Sequence, residues 1–213
     1  MSLEITFLRH GQTPYSREDV FCGAGLDPDL TPEGREMAES VRDSLRSQPW
    51  IAIYASPLKR AVQTAEPIAG ALAKKVEARD GLREIHYGKW EGLSKEVVSN
   101  QYHDDYLRWL ADPAWNAPTE GEPAVMIARR ALQVIEEIRA EHSKGSVLVV
   151  SHKATIRITL CALLGVDVGR FRFRLGCPVG STSRVEFTRA GPLLHTLADR
   201  GHLSSRLREL PGT

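Results

Sequence analysis

Two short apolar runs in this chain each end in a histidine. Leu3-Glu4-Ile5-Thr6-Phe7-Leu8 leads into Arg9-His10-Gly11-Gln12-Thr13, and Val147-Leu148-Val149-Val150 leads into Ser151-His152. Both runs read as buried strands, the first by partial alternation and the second by its branched side chains. Open α/β sheets bind ligands in the crevice outside the carboxyl ends of their strands. Two strand ends that each deliver an imidazole, one of them beside an arginine, predict a single shared pocket.

Between these runs, strand and helix signals alternate. Thr31-Pro32-Glu33 has the form of a helix start, and that helix is expected to reach about Leu45. A strand at Ile51–Ala55 follows. Ser56-Pro57 then offers a second cap-plus-proline start, with Ala61, Ala65, Ile68 and Leu72 on one face. A short strand is expected at Val76–Ala78, a loop over 81–92, a helix from Ser94 to Leu110 and a long surface loop from Asp112 to Pro123. Ala128, Ala131, Ile135, Ile138 and His142 mark a long amphipathic helix. Beyond Val150 come a helix at about Ala154–Leu164 and strands at Ser183–Phe187 and Leu193–Leu197, with Gly191-Pro192 as the turn. The residues from Gly11 to Asp29 read as a polar, glycine-rich loop, and Ser204–Thr213 as a polar tail. This order predicts an α/β fold: three layers, α/β/α, around a mostly parallel, mixed central sheet. With no linker in view, residues 1–213 are read as one domain, and residues 84–123 as a sub-layer or lid.

Composition narrows the functional classes. The 213 residues carry a formal net charge of +1, so a broad basic face for nucleic acid is not expected. No apolar stretch approaches the roughly 18 residues of a membrane span, and the N-terminal residues lack a signal-peptide pattern. Cys22, Cys161 and Cys177 have no C-x-x-C spacing and read as reduced thiols, which points to the cytoplasm. No metal site is expected from them. Gly23-Ala24-Gly25 lacks the third glycine of a dinucleotide fingerprint, and no Walker lysine motif is present. No cysteine precedes an arginine at the spacing cysteine phosphatases use. Aspartate-based phosphatase chemistry is set aside as well.

Four segments, in order, carry a specific resemblance. They are Arg9-His10-Gly11-Gln12-Thr13, Ser56-Pro57-Leu58-Lys59-Arg60, Leu82-Arg83-Glu84 with Tyr87-Gly88-Lys89-Trp90-Glu91-Gly92, and Ser151-His152. Together they resemble the histidine phosphatase superfamily, the phosphoglycerate mutase-like group. The resemblance implies His10 as nucleophile, forming a phosphohistidine that divides a hard hydrolysis into two steps. It implies Arg9, Arg60 and protonated His152 as phosphate ligands, and Glu84 as the acid that protonates the leaving group, with burial and phosphate charge raising its pKa. It implies no metal ion, and no cofactor unless the chain is a mutase using 2,3-bisphosphoglycerate.

Other positions follow less directly. Ser16 stands where the family often has Asn, and Cys22-Gly23 matches a loop whose amides approach substrate. Lys153 stands where the family commonly has Gly, so it either changes that loop or adds a cation. His202 is a candidate contact from the tail, Arg157 is open between helix surface and pocket rim, and Tyr87 and Trp90 are read as packing. The stretch Asn116–Glu122 either touches substrate or caps the next helix. The short insertion and tail favour a phosphatase acting on a small phosphorylated metabolite. A phosphoglycerate mutase is the alternative, and a non-catalytic phosphate-binding domain is the alternative from another class. Dimers are common in the family, so a homodimer is possible.

Overall fold

The computed structural model describes residues 2–212. In chain order its elements begin with β1 (Leu3–Arg9), α1 (Pro14–Glu18), α2 (Pro32–Leu45), β2 (Trp50–Ala55), α3 (Lys59–Ala71) and β3 (Val76–Ala78). Then come α4 (Lys95–Gln101), α5 (His103–Ala111), α6 (Ala124–Glu141), β4 (Gly145–Ser151), α7 (Lys153–Leu164) and α8 (Phe171–Arg174). β5 (Thr182–Thr188), β6 (Gly191–Asp199) and α9 (Ser205–Glu209) complete the order.

The six strands form one sheet in the order β3-β2-β4-β1-β5-β6. The first four are mutually parallel, while β5 runs antiparallel to both β1 and β6. Side chains alternate faces along a strand, and the three central strands use both faces. Ile5, Phe7, Tyr54, Val147 and Val149 meet Ile135 and Ile138 of α6 and Ile156 and Leu160 of α7. Leu8, Ile53, Leu148 and Val150 face the other way, onto Val41 of α2 and Ala61, Ala65 and Ile68 of α3. The result is the expected three-layer mixed α/β fold. Each fully buried aliphatic side chain in these two clusters contributes roughly 1.5–3 kcal/mol.

Several local expectations need correction. Residues Gly11–Asp29 are not all loop: Thr13 caps α1 in a reciprocal box with Ser16. Ser56 does not cap α3. Leu58 is extended (φ −68°, ψ 137°) and occupies the cap position without a side-chain bond, so the helix starts at Lys59. The helix expected over 94–110 breaks at Tyr102 (φ −128°, ψ 39°) into α4 and α5. Its apolar positions Val98, Tyr102, Tyr106 and Leu110 recur every four residues, which drifts about 40° per step on an ideal helix. The break brings Val98 and Trp109 into one aromatic cluster with Phe21 and Trp90. The β5–β6 turn is at Arg189-Ala190, and Gly191 (φ 120°) already pairs with Thr188. Pro192 is tolerated because β6 is an edge strand. The tail also folds: Ser204 caps α9, and Leu207 is fully buried against Met37 and Val179.

Candidate active site

Strand register places the site. Arg9 pairs with Ser151, and the His10 amide donates to the Ser151 carbonyl at 3.0 Å. On the other side of β4, the Ser56 amide donates to Val150 O at 2.9 Å. Three adjacent carboxyl ends therefore set Ser56, His152 and His10 side by side, with the two imidazole centroids 5.1 Å apart. Gly11 fits because the chain passes against the start of α2. A Cβ at Gly11 would lie 2.4 Å from the Gly34 carbonyl oxygen. The close approach is to protein backbone.

His10 Nδ1 lies 2.7 Å from Gly11 O. A carbonyl can only accept, so Nδ1 carries the proton and Nε2 keeps its lone pair. Burial, then Arg60 and Arg9, push the His10 pKa well below its ordinary value, so the ring is neutral. That is the form a nucleophile requires.

His152 departs from the sequence expectation. Arg60 Nε donates to His152 Nδ1 at 3.2 Å, which leaves the proton on Nε2, 2.7 Å from Ser56 Oγ. Burial and the Arg60 charge hold its pKa well below the usual range. The ring is fully buried, both nitrogens are engaged, and it does not reach the cavity surface. Here His152 is a neutral ring that orients Arg60.

The cavity beside His10 has a volume of about 450 Å³, within the range of small-ligand sites. It is lined by six cationic side chains, Arg9, Arg60, Lys95, Lys153, Arg157 and Arg172, against two carboxylates, Asp19 and Glu84. Arg9 Nη1 donates to Cys177 O (2.7 Å) and Gly212 O (3.0 Å), while its buried Nε has no partner. Arg60, almost fully buried, donates from Nη1 to Leu26 O and from Nη2 to Gly23 O. Its guanidinium is thus fixed before any anion arrives.

The geometry separates the two nearby glutamates. Glu91 accepts from the amides of Gly23, Gly25 and Tyr87, and so ties down the Cys22–Gly25 loop. Glu84 lines the cavity. Its Oε1 accepts from the amides of Ile85 and Thr155, and its Oε2 from the Ala154 amide at 3.1 Å. Oε2 therefore has the freer lone pairs. Arg130, which the sequence did not single out, donates to the carbonyls of Gly81, Arg83 and Glu84 and makes a two-point pair with Glu122. That pair takes up Glu122, so the 112–123 stretch neither lines the cavity nor caps α6, whose cap residue Pro123 makes no side-chain bond.

The remaining expected residues divide. Ser16 lines the cavity, but its hydroxyl donates to Thr13 O and accepts from Thr13 N. Cys22 lines it too, with burial raising its thiol pKa to about 11. Gly23 does not line it, and its amide is occupied by Glu91. Lys153 and Arg157 both line it from α7, which places Arg157 in the pocket. His202 stays outside, its Nε2 2.9 Å from Gly180 O. Tyr87 lines the cavity, whereas Trp90 is wholly buried. The segment from Phe171 to Pro178 forms one wall and carried no sequence signal. Asp27-Pro28-Asp29-Leu30-Thr31 does fit the Asp-x-Asp-x-Thr pattern of aspartate phosphatases, contrary to the reading that set this chemistry aside. Its carboxylates accept from Lys59 N and Gln63 Nε2, Thr31 caps α2, and none of them lines the cavity, so the pattern is structural.

Comparison with known proteins identifies the family. The family model described as histidine phosphatase superfamily (branch 1) matches residues 5–200. Phosphoserine phosphatase 1 of Hydrogenobacter thermophilus is 34% identical over 181 residues, covering 85% of each chain. Glucosyl-3-phosphoglycerate phosphatase of Mycolicibacterium vanbaalenii is 33% identical over 202 residues, covering 92% of this chain and 86% of its own. The solved structure of YhfR from Bacillus stearothermophilus superposes with a TM-score of 0.87 at 25% identity, covering 94% of this chain and 99% of its own.

Proposed function

The chain belongs to branch 1 of the histidine phosphatase superfamily, and on that premise we propose that His10, Glu84, Arg9 and Arg60 carry out phosphomonoester hydrolysis through a phosphohistidine. The chain is a phosphatase of small phosphorylated metabolites. The observation that carries the residue assignment is the neutral His10 ring, its Nε2 lone pair free, in a cavity whose cations outnumber its carboxylates.

In this reading the phosphoryl oxygens lie against Arg9 and Arg60, where fixed positive charge meets the charge that develops in flight. His10 Nε2 bonds to phosphorus as the ester P–O bond breaks. Glu84, protonated at Oε2, gives its proton to the departing alkoxide. The resulting carboxylate then takes a proton from water, which attacks phosphorus and releases inorganic phosphate and free His10. His152 fixes Arg60, and Arg130 fixes the Glu84 backbone. The lining cations supply the charge that a metal would otherwise bring, so we assign no metal or cofactor. Residues 1–213 act as one domain, with 84–123 covering the aromatic side of the cavity. Among the described residues no helix is long and apolar enough to cross a membrane. Three free thiols, two of them buried, suit a reducing compartment, and we place the enzyme in the cytoplasm on that basis.

The test is hydrolysis of a phosphomonoester panel in EDTA, with His10→Ala as control and trapping of an acid-labile phosphoenzyme. Phosphate release that persists in EDTA and disappears in the variant is expected. Adding 3-phosphoglycerate with and without 2,3-bisphosphoglycerate scores the mutase alternative. Formation of 2-phosphoglycerate with little phosphate release would replace hydrolysis with isomerisation.

A further inference from the structure

Two of the six cations in the cavity have no side-chain hydrogen-bond or ion-pair acceptor among the described residues. Among the described residues, the lining cations make only two carboxylate pairs, Lys95 with Asp19 and Arg60 with Asp27. Arg157 donates from Nε to Phe171 O (3.1 Å) and from Nη2 to Arg172 O, so its charge is held by backbone. The Lys153 ammonium and the Arg172 guanidinium make no side-chain hydrogen bond. Arg172 instead lies flat over the Trp109 ring, its Cζ 3.9 Å from the centroid, with Nη1 buried and unpaired.

Arg60 and Arg9 are the cations that act on His10. Arg60 stands with His10 and His152. Lys153 faces Arg9 and Arg157, and Arg172 lies beyond Arg157, near Tyr87 and Tyr106. A row of like charges, half-buried and unpaired, destabilises the free protein. Lys153 and Arg157, four residues apart on α7, present the same face to the cavity. One phosphate dianion held at Arg9 and Arg60 leaves this second group uncompensated, and the cavity is far larger than one phosphate needs.

We propose that Lys153 and Arg172, with Arg157 between them, form a second anion subsite, so that the preferred substrate is a phosphomonoester bearing another acidic group, a carboxylate or a second phosphate. The inference rests on the phosphatase reading of the same cavity. Arg172 is preorganised by the Trp109 face, and Lys153 supplies a mobile point charge. The carboxylate that acts on Lys153 is Asp19, which Lys95 occupies.

The test compares esters that differ only in the second group. Glycerol 3-phosphate and 3-phosphoglycerate differ by a hydroxymethyl against a carboxylate; fructose 6-phosphate and fructose 1,6-bisphosphate test a second phosphate. Equilibrium binding is measured by calorimetry on the His10→Ala protein, and kcat/KM on the active enzyme. A charged hydrogen bond discriminates by about tenfold or more, so at least one acidic partner is expected to be favoured by that factor. Lys153→Met and Arg172→Gln should each reduce the ratio to about twofold or threefold, mainly through KM, and Lys153→Arg should restore it. Equal binding of both members of both pairs, or a preference that survives both substitutions, overturns the subsite. Because binding is read without turnover, failure of hydrolysis would count against the phosphatase reading alone.

Discussion

Arg60 Nε donates to His152 Nδ1 across 3.2 Å, and this one bond fixes the tautomer of the buried ring. With Nδ1 accepting, Nε2 must donate, and its acceptor is Ser56 Oγ at 2.7 Å. The chain Ser56–His152–Arg60 thus couples three strand and helix ends into one support for the phosphate ligand. Ser56→Ala leaves the Nε2 hydrogen buried and unpaired. We expect a loss of about 1–3 kcal/mol in urea denaturation, together with reduced kcat/KM. Unchanged stability would show that His152 has another acceptor and that the tautomer assignment is wrong.

Depressed histidines make stability depend on pH with a definite sign. The pKa values of His10 and His152 both lie well below the ordinary value near 6.5, chiefly through burial. Below about pH 6.5 the unfolded chain binds protons that the native state refuses. Their stabilisation is therefore complete above that pH and is lost as pH falls toward the folded values, by up to about 1.4 kcal/mol per pH unit for each ring. Denaturation midpoints should hold level from about pH 7.5 to 6.5 and fall from about pH 6.5 to 5.5, and His10→Ala should make that fall shallower. A flat profile in the unmodified protein would mean that the rings titrate in the fold as they do in the unfolded chain.

The role given to Glu84 predicts a dependence on leaving group. General acid catalysis matters most when the departing alkoxide is strongly basic, where it contributes roughly 10²–10⁴-fold. Glu84→Gln should reduce kcat/KM, which reports phosphoenzyme formation before the shared hydrolysis step, by about that factor for an alkyl phosphate and by less than about tenfold for p-nitrophenyl phosphate. Equal losses on both substrates would make Glu84 a positioning group.

What the sequence revealed and what it hid have a common physical basis. β1, β4 and the histidines that follow them were legible because local hydrophobic patterning dictates them, and strand register then brings His10 beside His152 without further instruction. The cap at Thr31 was equally local. The charge state of His152 was not, since it depends on burial and on Arg60, 92 residues away in the chain. Ser16 was identified by position, yet its hydroxyl is taken by the Thr13 cap, a competition that only the α1 geometry reveals. Arg130 and the Phe171–Pro178 wall carry no motif, because their work is to meet backbone carbonyls or to fill space. The tail's polar composition allows partial order but does not reveal that Gly212 O accepts from Arg9 and Pro211 O from Gln12.

Lys153 gives the second subsite a pH signature. Burial, then Arg9 and Arg157, lower its pKa to about 8. A phosphomonoester is already a dianion well below that pH, and Arg157 and Arg172 stay charged throughout. Burial also raises the pKa of the nearby Cys177 thiol above its ordinary value. Raising the pH from about 7 to about 9 therefore neutralises Lys153 before any of its neighbours that contact the ligand. The kcat/KM ratio of 3-phosphoglycerate to glycerol 3-phosphate should fall through a single ionisation near pH 8 and level off at the share that the arginines retain. In Lys153→Arg the ratio should stay level over the same interval. A ratio that is constant in the unmodified enzyme would remove Lys153 from recognition of the second acid and leave its burial to be explained by packing alone.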